Sequence, residues 1–266
     1  MAILTATPSP GWTFLQWLGD ANGTNPTTSL VMSRDQCVQA LFGTTLNSTV
    51  IGNGSVVASP ASEFYPYGTT VRLTAVPQSG NYFTVWGNAA DGADNPLSFT
   101  VTNFNPTVAG VFTPFASSGT VALTVIPSGF GRVSTNPRAN HYNTGASVTL
   151  LAQPEAGQSF LGWSGDANGA DNPLVLTLNQ NRVVTANFST NPRLAPALCD
   201  GAPNGAPWQW SLVGAFDQSY VIEVTRTLSP IVWAPVATVT NTFGIVWWKD
   251  PFATNAAHGF YRAAGP

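Results

Sequence analysis

The sequence predicts an all-β protein, built as a tandem array of small two-layer repeat modules followed by a C-terminal β-sandwich. One tryptophan-centred stretch occurs three times, around Trp17, Trp86 and Trp163, and such self-similarity indicates repeated structural units. Runs of β-branched residues are separated by Gly, Pro and Asn, and helical periodicity is absent. This composition is typical of short strands joined by turns.

The three copies match at several anchors in register. Each tryptophan follows a proline by nine residues and a phenylalanine by three, and each copy ends on an aromatic residue. A small module needs a large buried side chain, so we expect the recurring aromatics to anchor the cores of the modules. These anchors are Trp17, Trp86, Trp163, Phe42, Phe112 and Phe188.

The first copy is shorter than the other two. The second and third share an upstream half, which runs from Gly54 to Tyr65 and from Gly131 to Tyr142, and Met1 stands where the third strand of the unit should begin. Repeat 1 therefore lacks two strands, which should leave a sheet edge unpaired. We also expect the chain to be a trimmed piece of a longer exported precursor.

These boundaries predict four modules. They are a truncated repeat 1 (1–44), repeat 2 (45–113), repeat 3 (119–189) and a C-terminal β-sandwich module (197–266), with linkers at 113–119 and 190–196. In repeat 3, strands are predicted at 121–126, 131–135, 147–152, 174–178 and 182–188. The last strand alternates, which places Val184, Ala186 and Phe188 on one face.

The repeated pattern G-x-V-x-x-x-P, G-x-x-F-x-x-W-x-G-D, N-P-L and V-x-A-x-F resembles the divergent internalin-type B-repeat of bacterial surface and secreted proteins, over residues 1–189. The second copy departs from it, since Trp86 is followed by Gly-Asn. The resemblance implies small β-grasp-like or β-sandwich modules displayed outside the cell and used in adhesion rather than catalysis. Residues 197–266 resemble a C-terminal module of large exported bacterial proteins, similar to a fibronectin type III sandwich.

Composition and spacing argue against several other functions. The net charge is −3 and Lys249 is the only lysine, so no row of phosphates could be neutralised and nucleic acid is not expected as a partner. No apolar run is long enough to span a bilayer. Two histidines, His141 and His258, lie in different modules without a nucleophile motif nearby. We expect no enzyme, no catalytic residue and no cofactor.

The acidic turn of repeat 3 offers oxygen ligands for calcium at Asp166, Asn168 and Asp171. The turn lacks a bidentate glutamate, and Asn and Asp more often form turns by bonding their own backbone. Calcium is therefore a weak candidate, and structural turns are the favoured interpretation.

Cys37 and Cys199 are the only cysteines. In a linear array they would be far apart, so we expect free thiols, with a disulfide between neighbouring molecules as the alternative. Neighbours on a strand point to opposite faces, so at least one of Trp247 and Trp248 should lie near the surface or under a linker.

The sequence thus predicts a non-enzymatic structural or adhesive protein of the bacterial cell surface. Repeat 1, with its unpaired edge, should support head-to-tail self-association into filaments. The alternative is a carbohydrate-binding accessory region of a larger secreted protein, with exposed tryptophans stacking on a polysaccharide.

Overall fold

The structure, a computed structural model, describes residues 1–116, 118–197, 209–250 and 259–265. These residues form strands and turns without any helix, which confirms the predicted all-β tandem fold. None of them therefore belongs to a helix that could cross a membrane. The chain divides into two compact units, unit 1 (Met1–Thr44, Phe64–Tyr67 and Asn191–Pro266) and unit 2 (Thr45–Glu63 and Gly68–Thr190).

Unit 2 holds repeats 2 and 3, which share one strand plan. The strands of repeat 2 in this unit are β5 (Asn47–Ile51), β6 (Gly54–Ser59), β8 (Thr70–Pro77), β9 (Asn81–Asn88), β10 (Leu97–Thr100) and β11 (Thr107–Pro114). Those of repeat 3 are β12 (Thr120–Val121), β13 (Leu123–Ser128), β14 (Gly131–Asn136), β15 (Tyr142–Asn143), β16 (Ala146–Pro154), β17 (Phe160–Gly165), β18 (Leu174–Leu178) and β19 (Arg182–Phe188).

Each complete repeat consists mainly of two three-stranded sheets. The Trp sheet, which contains the tryptophan strand, has the order β5-β11-β9 in repeat 2 and β13-β19-β17 in repeat 3. In this sheet the last strand of the repeat, β11 or β19, pairs in parallel with the first strand, β5 or β13. The tryptophan strand, β9 or β17, pairs antiparallel with the other edge of the same last strand. The second sheet is antiparallel, with the order β10-β8-β6 or β14-β16-β18.

The core of repeat 3 follows from alternation along its strands. Val184, Ala186 and Phe188 are buried, as the sequence predicts, and they pack with Val148, Leu150 and Trp163. The five strands predicted for this repeat correspond to β13, β14, β16, β18 and β19. The tryptophan strand β17 was not predicted, because its two glycines and its bulge near Phe160 hide the alternation of a strand.

Repeat 1 contains only part of this plan. Its strands are β1 (Ala2–Thr5), β2 (Thr13–Gly19), β3 (Thr27–Leu30) and β4 (Val38–Thr44). β1 pairs with β3, and β4 lies between β2 and the short β7 (Tyr65–Pro66). β7 pairs with the end of β4 at Gly43 and Thr44, and the N–H of Tyr67, the next residue, bonds the Phe42 carbonyl at 3.0 Å.

The C-terminal part of unit 1 forms two antiparallel three-stranded sheets, β20-β21-β24 and β23-β22-β25. Leu212, Tyr220 and Ile222 are buried between them. Their strands are β20 (Arg193–Pro196), β21 (Gln209–Val213), β22 (Gln218–Thr225), β23 (Ala234–Asn241), β24 (Ile245–Lys249) and β25 (Phe260–Ala264).

The linker predicted at 190–196 is a strand for most of its length. β20 pairs with β21 from Arg193 to Pro196. Proline is tolerated there because β20 is an edge strand, where one side of the backbone needs no ladder partner. The first predicted linker, at 113–119, begins within β11, and its Ser117 lies outside the described residues.

Candidate interaction site

The three recurring tryptophans are buried in the same setting. Each indole Nε1 donates a hydrogen bond to the carbonyl eight residues later, at 2.8 Å for Trp17, 2.7 Å for Trp86 and 2.8 Å for Trp163. Each tryptophan N–H also bonds the carbonyl of a loop glycine, Gly23, Gly92 or Gly169. The tryptophan thus closes the acidic loop that follows it, while its ring fills the core.

Aspartates at the start of these loops bind backbone. The Asp166 carboxylate accepts the N–H of Val183 at 2.7 Å, and the Asp20 carboxylate accepts the N–H of Cys37 at 2.8 Å. Each bond holds the beginning of the last strand of its repeat. Asn172 adds a second restraint, since its side-chain amide bonds both the N–H and the carbonyl of Ala152 at 2.8 Å.

These contacts leave the calcium candidates in separate roles. Asp166 holds a strand, the Asp171 carbonyl accepts the indole of Trp163, and Asn168 is exposed. Across the part of the chain that the structure describes, no group of three or more His, Cys, Asp and Glu side chains could hold a metal ion. His258 lies outside the described residues.

Asp20 also carries an ionic contact that repeat 3 does not share. Its Oδ1 accepts hydrogen bonds from Lys249 Nζ at 2.9 Å and from Arg34 at 2.7 Å. Burial alone would raise the pKa of Asp20, but the bonds from Arg34, the Cys37 N–H and Lys249 outweigh burial and lower the pKa below its ordinary value. The only lysine of the chain therefore ties β24 to repeat 1.

The outer face of the β2-β4 sheet packs on β24. Leu15, Leu18 and Leu41 form a buried cluster with Ile245 and Trp247. Trp248, on the opposite face of β24, packs against Tyr261 with ring centroids 5.9 Å apart. Both tryptophans are thus covered by neighbouring elements rather than open to solvent, and every described tryptophan is at least partly buried.

Among the residues that the structure describes, repeat 1 has no strand at two places that strands occupy in the other repeats. In repeats 2 and 3 the last strand pairs with β5 or β13 on the edge away from the tryptophan strand. Among the described residues of unit 1, no strand runs along the corresponding edge of β4 at Val38–Leu41. β1 likewise has β3 on one side and, within the described part of the chain, no counterpart of β6 or β14 on the other.

Two core residues of repeat 1 are less buried than their equivalents in the complete repeats. Phe112 and Phe188 are each 4% exposed, whereas the equivalent Phe42 is only partly buried. Val38, equivalent to the fully buried Val184, is also only partly buried. Leu4, Val38, Ala40 and Phe42 lie on β1 and β4, are partly buried and pack against this core, and we call these four residues the repeat-1 groove.

Cys37, the residue before β4, is disulfide-bonded. The expectation of a free thiol is wrong for this residue. That expectation rests on a linear array, whereas Met1–Thr44 belongs to the same compact unit as Asn191–Pro266. Cys199 lies outside the described residues.

A family model described as the divergent InlB B-repeat domain matches the chain three times, over residues 1–45, 44–116 and 121–192. Together these matches cover more than half of the sequence. The searches of curated proteins and of solved structures find no match.

Proposed function

Because the chain belongs to the divergent InlB B-repeat family, we propose that it is a non-enzymatic structural or adhesive protein of the bacterial cell surface. We further propose that it associates head to tail through repeat 1. The observation that supports this proposal is the repeat-1 groove, where the described residues supply no strand at two positions that are filled in repeats 2 and 3.

An open strand edge beside an apolar groove favours association. The backbone groups of the edge can bond an added strand, and the exposed parts of Val38, Ala40 and Phe42 become buried when one is added. The acceptor surface lies in repeat 1. A donor strand would come from a different surface of the next molecule, so the contact is heterologous and extends into a filament.

The exported location is part of the same proposal. It is supported by the family, by the disulfide-bonded Cys37 and by the low charge of the repeats. Disulfides persist mainly in oxidising compartments outside the cytosol. Binding to a polysaccharide has less support, because the described tryptophans all pack against other side chains or are at least partly buried.

The test compares the intact chain with two Val→Lys variants by light scattering and negative-stain microscopy. Val38→Lys places a charge in the groove, while Val213→Lys places one on an exposed site of β21. We expect the intact chain and Val213→Lys to form concentration-dependent assemblies and Val38→Lys to stay monomeric. A strictly monomeric intact chain, or assembly unaffected by Val38→Lys in a variant that remains folded by circular dichroism, would contradict the proposal.

A further inference from the structure

Asparagine precedes glycine at the same place in two of the acidic loops. Asn22-Gly23 follows Trp17 in repeat 1, and Asn168-Gly169 follows Trp163 at the same spacing in repeat 3. Both pairs are exposed, and within the described part of the chain neither asparagine side chain forms a hydrogen bond. In contrast, Asn172 is held in place, because its side-chain amide bonds the backbone of β16.

An asparagine followed by glycine can react with its own backbone, because glycine has no Cβ to hinder attack by its nitrogen. The glycine nitrogen bonds the asparagine Cγ, and the C–N bond of the side-chain amide breaks. The amide nitrogen leaves as ammonia with the proton that the glycine nitrogen gives up, and a succinimide ring remains. Water then opens the ring at one of its two carbonyls. Opening at the side-chain carbonyl gives aspartate, and opening at the backbone carbonyl gives isoaspartate.

The reacting atoms of both pairs lie in open space. Gly23 and Gly169 have φ of +92° and +97°, a conformation that favours glycine. A Cβ added to either glycine would meet no atom of the described residues within 4 Å. The tryptophan N–H bonds the carbonyl of each glycine, at 2.9 Å and 2.7 Å. That bond does not occupy the glycine nitrogen, which is the atom that reacts.

A third pair, Asn53-Gly54, lies in a different setting. Gly54 begins β6 opposite Pro77, and a Cβ added to it would lie 2.5 Å from the Phe112 ring. The Asn53 carbonyl accepts the N–H of Gln78 at 3.1 Å. Closing a succinimide ring here must move backbone that is packed on the core, so the strands must first open locally. A fourth pair, Asn204-Gly205, lies outside the described residues.

We propose that Asn22 and Asn168 are sites of spontaneous deamidation, and that their isoaspartate products break the closure of the tryptophan loops in repeats 1 and 3. Repeat 2 has Asp91 at the equivalent position, and its loop keeps the bond from the Trp86 N–H to the Gly92 carbonyl at 2.8 Å. Aspartate is therefore compatible with the closed loop. Isoaspartate adds a main-chain atom just before the glycine, and so displaces the carbonyl that the tryptophan N–H bonds.

The test follows each asparagine by mass spectrometry of peptides from the intact chain, incubated at mildly alkaline pH. We expect Asn22 and Asn168 to convert roughly tenfold faster than Asn53 in the folded chain, because only Asn53 requires local opening of strands. In denaturant the three rates should become similar, since glycine follows each asparagine. No conversion at Asn22 and Asn168, equal rates at the three sites of the folded chain, or a rate ratio that persists in denaturant would overturn the proposal.

The matched control is Asn168→Gln, whose longer side chain disfavours ring closure at an exposed site. This variant should lose the conversion in repeat 3 and keep the parent rate at Asn22. Conversion in the repeat-3 loop that continues at the parent rate would show that the succinimide of Asn168 is not its source, and would overturn the assignment of this site.

A second measurement tests the effect on the loop. The isoaspartate form of repeat 3 is identified by isoaspartate-specific methylation and purified by chromatography, and its amide hydrogen exchange is compared with that of Asn168→Asp. We expect faster exchange of the Trp163 N–H in the isoaspartate form, because its bond to Gly169 is lost, and parent-like exchange in Asn168→Asp. Parent-like exchange of the Trp163 N–H in both forms would contradict the proposed opening of the loop.

Discussion

Trp163 combines two roles in repeat 3, since its ring is buried in the core and its Nε1 bonds the Asp171 carbonyl across the acidic loop. Replacing it with alanine should cost about 3–5 kcal/mol of unfolding free energy, the range for removing a large buried aromatic. Leu161→Ala, two residues away on the same strand and 63% exposed, is the control, and it should change stability by less than about 0.5 kcal/mol. Chemical denaturation measures both. Equal stability of Trp163→Ala and the parent would show that the ring does not support the core.

The lowered pKa of Asp20 predicts that the stability of unit 1 depends on pH. Its pKa is lowered in the folded protein, so folding favours the ionised form. The stabilisation is therefore fully present above the ordinary aspartate pKa of about 4 and is lost as the pH falls through the lowered value. Asp20→Asn removes the ionisable group that bonds Lys249 and Arg34.

Thermal melts between about pH 7 and about pH 2 should therefore show a smaller acid-induced loss for Asp20→Asn than for the parent, together with a lower starting stability at neutral pH. Asp171→Asn changes an exposed side chain of repeat 3 and serves as the control. An acid profile of Asp20→Asn that follows the parent over the whole range would exclude Asp20 as the cause.

At the scale of elements, packing requires a glycine at the start of β14 in repeat 3. Gly131→Ala places a methyl group in the space of the Phe188 ring and should destabilise the protein by about 1–3 kcal/mol. Gly87→Ala meets only the Ala109 Cβ, at an ordinary 3.7 Å, and should be neutral or stabilising by up to about 1 kcal/mol. Denaturant midpoints of the two variants give the comparison. Equal effects would mean that packing on the ring does not select glycine.

The predictable elements are those that a local pattern determines. Strands β14, β18 and β19 follow from β-branched runs between turn residues, and the missing strands of repeat 1 follow from the alignment of its copies. The tryptophan strand β17 could not be found this way, since its bulge and glycines interrupt the alternation. β20 lies within the linker predicted at 190–196, and its Pro196 is accommodated because β20 is an edge strand.

The sequence pattern of a strand does not show which other element packs against its outer face. The sequence places Leu15, Leu18 and Leu41 in two ordinary strands. Only the structure shows that these leucines pack on Ile245 and Trp247. Such a contact joins residues more than two hundred positions apart, so no local periodicity reports it. The same holds for Lys249, whose partner Asp20 lies in the first repeat.

At the scale of the whole molecule, unit 1 is built from segments that are distant in sequence, and the bonded Cys37 lies in it. Removing a native disulfide from a small domain costs about 2–5 kcal/mol. Cys37→Ser should therefore lower the melting temperature of unit 1 and leave the transition of unit 2 in place, as followed by calorimetry. A uniform loss across both transitions, or none, would contradict this division of the chain.

The central claim is that repeat 1 is an incomplete module whose open groove drives association. The most direct test places a copy of residues 45–69 immediately before Met1, which supplies the two missing strands in the order that repeat 2 uses them. Sedimentation velocity of this completed chain is compared with that of the intact chain at matched concentrations. We predict that the intact chain associates and that the completed chain sediments as a monomer with a higher melting temperature. Association that persists unchanged after completion, or an intact chain that is monomeric throughout, would contradict the claim.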